Sequence, residues 1–350
     1  MAVELSGLSE LAGLGFDTII DVRSPAEYAE DHIPGAINLP ALSNAERAEV
    51  GTIYTQDSPF KARKIGAALV ARNVAHHLET VLAEKDGAWL PLVYCWRGGQ
   101  RSGSVATILS QIGWRAETVV GGYRAYRRLV VEALYETPWP RSLMLLDGNT
   151  GSGKTALLER LGERGVAVLD LEGLAGHRGS VLGLMGDAQP SQKAFETGIA
   201  QALDAAPAGQ PIVVEAESSK IGALIVPPSL WAAMAKAPRI LIDAPAAARA
   251  KFLCAAYSDV TADIERLCGL LDRLKPFHGA ERVAEWQDMA RTGAHEDLAR
   301  GLVERHYDPR YAKARARHDV PDERVVAVDD LGDAGLNEAA DQIVQITRSP

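Results

Sequence analysis

Cysteine is scarce in this chain. Its 350 residues include only Cys95, Cys254 and Cys268. These are too few for a disulfide framework, and no CxxC pair supplies half of a structural zinc site. Long apolar runs are missing as well: no stretch approaches the roughly 20 residues that a membrane-spanning helix needs. The opening MAVELSGLSE lacks the basic start of a secretory signal. Nor is there an excess of basic charge. With 37 Lys and Arg against 46 Asp and Glu, the net charge is −9, which argues against nucleic-acid binding over a generally basic surface. These absences leave a soluble, cytoplasmic α/β protein with its thiols kept reduced. The chain is long enough for two domains of ordinary size.

The charge is unevenly spread. From Cys95 to Val130 the sequence carries Arg97, Arg101, Arg115, Arg124, Arg127 and Arg128 against one acid, Glu117. From Arg300 to Arg317 it carries Arg300, Arg305, Arg310, Lys313, Arg315 and Arg317 against Glu304 and Asp308, with Tyr307 and Tyr311 interleaved. An acidic protein with two such stripes can bind RNA at one face, but either stripe taken alone is better explained as a solvated helix face.

Strand and helix signals alternate through the first part of the chain. DTIIDV (17–22), GAINLP (35–40), WLPLVY (89–94) and AETVVGGY (116–123) mark strands. Helices are expected after Ser24, which is followed by Pro25 and Glu27 as in a capping box, over 60–83, from about Ser104 to Ile112, and on to about Tyr135. TPWPRS (137–142) has two prolines and no periodicity, which places a boundary at residue 138 between domains 1–138 and 139–350. The second part restarts with LMLLD (143–147), then a helix from Lys154 to about Glu163. Further buried strands are VAVLD (166–170), PIVVEA (211–216), RILIDA (239–244) and RVVAVD (324–329). A helix over 191–206, a mostly helical stretch from Pro245 to about Arg317 and a last helix to Ile346 complete it. Such alternation implies a parallel sheet covered on both faces in each domain.

YCWRGGQRSG (94–103) follows a buried strand, and its cysteine therefore sits at the sheet edge where α/β folds place ligands. Gly98 and Gly99 let successive backbone N–H groups curl into an anion-holding nest. The next helix directs its positive end at the sulfur, and Arg97 and Arg101 add charge. Each effect favours thiolate over thiol, so Cys95 is expected to be a nucleophile at neutral pH, whereas Cys254 and Cys268 are expected to be structural. Five residues separate Cys95 from Arg101. That spacing also suits a phosphatase, in which the arginine clamps a phosphate with two parallel hydrogen bonds.

Gly148, Asn149, Thr150, Gly151, Ser152, Gly153, Lys154 and Thr155 match the Walker A pattern between an apolar strand and a helix. Their backbone N–H groups would wrap a diphosphate, Lys154 would neutralise it, and Thr155 would hold Mg²⁺ if that ion is bound. The motif recognises a diphosphate and not a base, so a nucleotide is not specified. No apolar strand followed by an Asp stands out as a Walker B partner. Glu215 and Glu217 are the nearest acids, and Asp243 is read as a strand-end residue in a salt bridge.

DVRSPAEYAEDHIPGAINLP (21–40) resembles the rhodanese signature, whose domains carry sulfur or selenium on the loop cysteine. Cell-cycle dual-specificity phosphatases share that fold. A rhodanese-like domain followed directly by a P-loop domain resembles the tRNA 2-selenouridine synthase family over essentially the whole chain. YCWRGGQRS (94–102), GNTGSGKT (148–155), DLEGLAGHRGS (170–180), VEAESSKIG (214–222) and HYDPRY (306–311) carry the resemblance. It implies an α/β protein with an N-terminal rhodanese-like domain and a C-terminal P-loop NTPase-like parallel-sheet domain whose last part is largely helical.

The implied activity replaces sulfur by selenium in wobble 2-thiouridine of tRNA. The co-substrates are selenophosphate and geranyl diphosphate, the intermediate is S-geranyl-2-thiouridine, and selenophosphate synthase is the implied source of the selenium donor. Cys95 would serve the selenium step. Arg97, Gly98, Gly99, Gln100 and Arg101 would hold selenophosphate or an RNA phosphate, and residues 148–155 the diphosphate. Arg124, Arg127, Arg128, Tyr307, Arg310 and Tyr311 are the expected tRNA contacts, with a tyrosine stacking on an anticodon base. The rival expectation is a rhodanese-type sulfurtransferase with a fused NTP-dependent domain acting on a small molecule.

Overall fold

The computed structural model describes residues 2–8, 10–136, 139–177, 189–315 and 322–348. The chain forms two compact units, Met1–Thr137 with Pro190–Asp204, and Pro138–Gln189 with Ala205–Pro350. The boundary expected at residue 138 therefore lies at the passage from the first unit to the second. The segment 190–204 returns to the first unit, although it lies well past that boundary in sequence.

The first unit is built on a parallel sheet in the order Ala2–Val3, Glu117–Val119, Pro91–Tyr94, Thr18–Asp21, Ile37–Asn38. Every residue of the central strand Pro91–Tyr94 is buried, as expected of a parallel strand covered on both faces. Ile20, Val22, Val93, Val70, Val74, Leu109 and Trp114 share its core with Cys95. Helix Pro59–Glu79 starts with Ser58 accepting from the Lys61 N–H and with proline in its first turn. A helix over Asn44–Gln56, opened by a Ser43–Glu46 capping box, was not anticipated, although the box is a local signal. The helix expected from Ser104 begins earlier, at Gln100, after Gly98 and Gly99 with φ of 69° and 74°. Arg101 and Ser102 therefore lie in its first turn and not in the loop. The helix Gln192–Ala205 is tied to this unit by Lys193–Glu30 at 2.6 Å, Thr197 Oγ1 donating to Asp31 at 3.0 Å, and an Arg127–Glu196 ion pair.

The second unit has its own parallel sheet, in the order Glu323–Ala327, Arg239–Asp243, Leu143–Gly148, Ile212–Glu215, Val168–Leu169. Leu143–Gly148 is central and buried along its whole length. Leu157, Leu158 and Leu161 of helix Lys154–Glu163 pack on it together with Leu336, Ala340 and Ile343 of helix Asp333–Arg348. Helices Ile264–Asp272, Lys275–Arg291 and His295–Leu302 close a separate core around Leu267, Leu271, Trp286, Leu298 and Leu302. This is the largely helical portion expected after Pro245. No helix among the described residues is long and apolar enough to cross a membrane.

Candidate active sites

Cys95 is placed by the residue before it. The Tyr94 hydroxyl donates to Asp21 Oδ2 at 2.8 Å and accepts from the Ile33 N–H at 3.1 Å. Arg23 pairs with Asp21 at 2.6 Å, also donates to the Asp31 carbonyl at 2.6 Å, and lies 3.9 Å from the centre of the Tyr123 ring. The Asp21-x-Arg23 element and the turn at Ile33 thus form a buried buttress under the strand end. A second helix start closes the loop from below. Tyr123 N–H donates to the Cys95 carbonyl at 2.8 Å and Arg124 N–H to that of Trp96 at 3.1 Å. Gly122 makes this approach possible. Its φ is 58°, and a Cβ there would sit 2.3 Å from the Cys95 carbonyl oxygen.

The cysteine itself is 2% exposed. Its thiol donates to the Arg97 carbonyl at 3.6 Å, and the Ser102 hydroxyl donates to the sulfur at 3.4 Å. Ser102 is a contact that sequence reasoning missed; the earlier helix start is what brings it to the sulfur. Arg101 departs from expectation. Its guanidinium is held by Glu27 through bonds of 2.7 and 3.2 Å, so its two-pronged face is occupied by a protein carboxylate. Burial pushes the Glu27 carboxyl up, but the Arg101 hydrogen bond and charge, the Ser24 backbone and Arg47 outweigh it and hold it down to about 2. The phosphatase reading, which needs that face for phosphate, loses its clamp.

Arg97, Gly98, Gly99 and Gln100 are exposed around the loop. Arg97 lines a cleft of about 760 Å³ together with Arg124, Arg127 and Arg128. Four of the six arginines of the first basic stripe are thereby gathered beside the cysteine loop. Arg127 is the exception within it, because its guanidinium is committed to Glu196. Two members of the second stripe are engaged with neighbouring side chains. Arg300 pairs with Asp297. Arg310 lies over Phe277 at 4.5 Å with its guanidinium 2.9 Å from His306 Nε2. The Arg315 side chain and Arg317 fall outside the described residues. Tyr307 is 9% exposed in the helical core with its ring edge-on to His306. So little of its ring reaches the surface that the stacking contact expected of it is not supported.

In the second unit, residues Thr150–Thr155 line a cleft of about 490 Å³. Lys154 Nζ donates to the Gly148 carbonyl at 2.9 Å and lies 5.9 Å from the Tyr311 ring centre. Burial opposes the Lys154 charge, but the Tyr311 hydroxyl and Glu217, Glu172 and Glu215 raise its pKa above the ordinary value. The HYDPRY segment acquires a physical role. Asp308 accepts from Asn149 Nδ2 at 3.0 Å and from both Arg249 terminal nitrogens at 2.9 and 2.7 Å, and Arg249 also donates to the Thr150 carbonyl at 3.2 Å. Asp308 therefore braces the phosphate loop, and Tyr311, three residues on, faces its lysine.

The acids beside the loop are crowded. The Glu172 N–H donates to Glu215, which ends the buried strand Ile212–Glu215. Burial, then the charges of Glu172 and Asp170, push the Glu215 carboxyl well above the ordinary range, and burial, then Glu172, pushes Glu217 up as well. Asp243 is exposed. His177 lines the cleft with Asp170 and Glu172, whereas Arg178 lies outside the described residues. A Mg²⁺ ion that takes most of its oxygens from phosphate and water needs only one or two from protein. Glu215 Oε2 and the Ser152 hydroxyl are buried with no hydrogen-bond partner among the described residues, and Thr155, Asp170 and Glu172 present oxygens to the cleft. This set fits an ion shared with a bound phosphate. Among the described residues no group of three or more His, Cys, Asp or Glu is placed to hold a metal ion by itself.

A rhodanese-like domain matches residues 4–129, and a tRNA 2-selenouridine synthase AAA domain matches residues 141–278. The tRNA 2-selenouridine synthase of Psychromonas ingrahamii is 37% identical over 243 residues, 68% of this chain and 64% of that protein. That match spans just under two thirds of the relative. The protein of the same name from Pseudomonas syringae pv. syringae is 33% identical over 330 residues, 85% of this chain and 88% of the relative. The one from Aeromonas salmonicida is 33% identical over 334 residues, 87% and 89% of the two chains. With a cysteine loop on one parallel sheet, a phosphate loop on the other and these matches running through both, the chain belongs to the tRNA 2-selenouridine synthase family.

Proposed function

We propose that this protein converts 2-thiouridine at the wobble position of tRNA to 2-selenouridine by way of S-geranyl-2-thiouridine. The observation that carries this reading is that both halves of a family member keep their reactive equipment: Cys95 buttressed at a sheet edge, and Lys154 with a braced phosphate loop. In the first step the C1–O bond of geranyl diphosphate breaks, a C–S bond forms to the thiouridine sulfur, and the N3 proton is lost. Lys154 and the loop amides stabilise the charge that develops on the departing diphosphate. The P-loop thus has a task that needs no nucleotide. Mg²⁺, where bound, would supply further charge neutralisation through Thr155 and the neighbouring acids.

Alkylation converts a poor leaving sulfur into a good leaving thiol. In the second step the selenium of selenophosphate attacks C2, the C2–S bond breaks and geranyl thiolate departs to be protonated. Water then attacks phosphorus and breaks the P–Se bond, which releases phosphate and leaves 2-selenouridine with its N3 proton restored. Cys95 serves this half by assisting the delivery of selenium, which stays at the selenide level throughout, with Ser102 as hydrogen-bond partner of the sulfur. Arg97, Arg124 and Arg128 contact the tRNA backbone in the basic cleft beside the loop. Arg101 acts through Glu27 and holds the helix start in place.

Thiolated tRNA incubated with the protein and geranyl diphosphate, selenophosphate, or both tests this directly, with nucleosides identified by mass spectrometry. The expected result is S-geranyl-2-thiouridine with the first reagent and 2-selenouridine with both. Unchanged tRNA alongside sulfur transfer from thiosulfate would instead support a small-molecule sulfurtransferase.

A further inference from the structure

Behind the phosphate loop lies a second cavity of about 60 Å³ whose exposed wall is wholly apolar. Leu267, Leu298 and Leu302, from the core of the helical portion, line it. Thr150, Leu253 and Tyr257 line both this cavity and the phosphate-loop cleft, so the two adjoin. Inside the cleft Phe252 and Ala256 extend the same apolar side. The helix that carries Phe252, Leu253 and Ala256, Ala246–Ala256, is pressed onto the loop: a Cβ on Gly151 would come within 2.8 Å of Leu253 Cγ.

This juxtaposition restricts the ligand. A nucleoside attached to the diphosphate would need donors and acceptors for its ribose and base, and the wall leading away from Thr150 exposes none. An apolar path that starts at an anion cradle suits a diphosphate whose other end is a hydrocarbon.

We propose that the cavity receives the distal end of the isoprenoid chain of the prenyl diphosphate, and that Leu267, Leu298 and Leu302 set the chain length by closing its far end. This rests on the prenyl transfer proposed above, to which it adds the place of the chain and the residues that limit it. The near part of the chain runs along Phe252, Leu253 and Tyr257. A cavity of about 60 Å³ takes only a short terminal portion, so a chain one isoprene unit longer meets the leucines.

Calorimetric titration of the full-length protein with inorganic diphosphate, geranyl diphosphate and farnesyl diphosphate tests this. Burying even two methylene-sized groups is worth roughly tenfold in affinity. The wild type is therefore expected to bind geranyl diphosphate at least about tenfold tighter than inorganic diphosphate, and farnesyl diphosphate about tenfold more weakly than geranyl diphosphate. Ala299→Phe, which fills the cavity from its own wall, should bring the geranyl-to-inorganic ratio close to one. Leu298→Ala, which opens space and is independent of any overpacking by the first variant, should bring farnesyl and geranyl diphosphate to within about twofold. Unchanged ratios in the variants, with a clear geranyl preference in the wild type, would overturn the assignment of the cavity alone. A wild type that binds geranyl and inorganic diphosphate equally would overturn the prenyl reading along with it.

Discussion

Replacing Glu27 by glutamine tests how the cysteine loop is anchored. The side chain is 24% exposed and accepts bonds of 2.7 and 3.2 Å from Arg101, which is 16% exposed. An ordinary glutamate at 4.5 and one held to about 2 differ by roughly 3 kcal/mol in preference for the charged form, at about 1.4 kcal/mol per pH unit. Residual exposure screens part of this, which leaves a loss of about 2 kcal/mol for Glu27→Gln at pH 7. Because the folded-state value is depressed, the contribution is present above the unfolded value of about 4.5. It fades as the pH falls from there through about 2. Urea unfolding, with hydrogen exchange read at the amides of 92–94 so that the first unit is observed by itself, supplies the measurement. Wild type and variant should differ at pH 7 and converge toward pH 2. A difference under about 0.5 kcal/mol at pH 7, or one that persists unchanged at low pH, would refute the anchoring role.

Cys95→Ala should abolish selenation of S-geranylated tRNA while geranyl transfer stays within about twofold; survival of both activities would remove Cys95 from the chemistry. Lys154→Ala should reduce geranyl transfer by about a hundredfold or more, the scale of losing one charge-stabilising group, and undiminished transfer would remove the phosphate loop. Gly122→Ala combines a left-handed backbone with a Cβ 2.3 Å from the Cys95 carbonyl. Backbone conformation alone costs about 1–2 kcal/mol, so selenation should fall at least tenfold while diphosphate binding is retained. Asp308→Ala leaves Arg249 and Asn149 without their shared acceptor. It should weaken inorganic diphosphate binding about tenfold, in line with charged hydrogen bonds of about 1.5–3 kcal/mol.

The cysteine loop and the phosphate loop could be read from the sequence because each is a local device. An apolar strand, glycines at fixed spacing, a cation and a following helix all lie within about a dozen residues at 94–103 and 143–155, and backbone chemistry at that range needs no distant partner. The order of strands and helices was readable for the same reason, since buried parallel strands show as short apolar runs. The start of the loop helix at Gln100 was harder, because glycine and charged residues in a first turn carry little periodicity. Ser102 was overlooked as a result.

The two glycine-rich loops, the sheet class of each unit and the family were legible in the order of residues alone. Tertiary structure alone decided which charges are available to ligands. Arg101 is spoken for by Glu27 across 74 positions, Arg127 by Glu196 across 69, and Asn149 is braced by Asp308 across 159. It also returned helix Gln192–Ala205 to the first unit, buried Tyr307 and brought Leu253 beside Leu298 around one apolar cavity. The physical reason is one of range. A helix cap or a phosphate nest is satisfied by its neighbours in the chain, whereas an ion pair or a cavity wall exists only once folding has brought remote segments within a few ångströms.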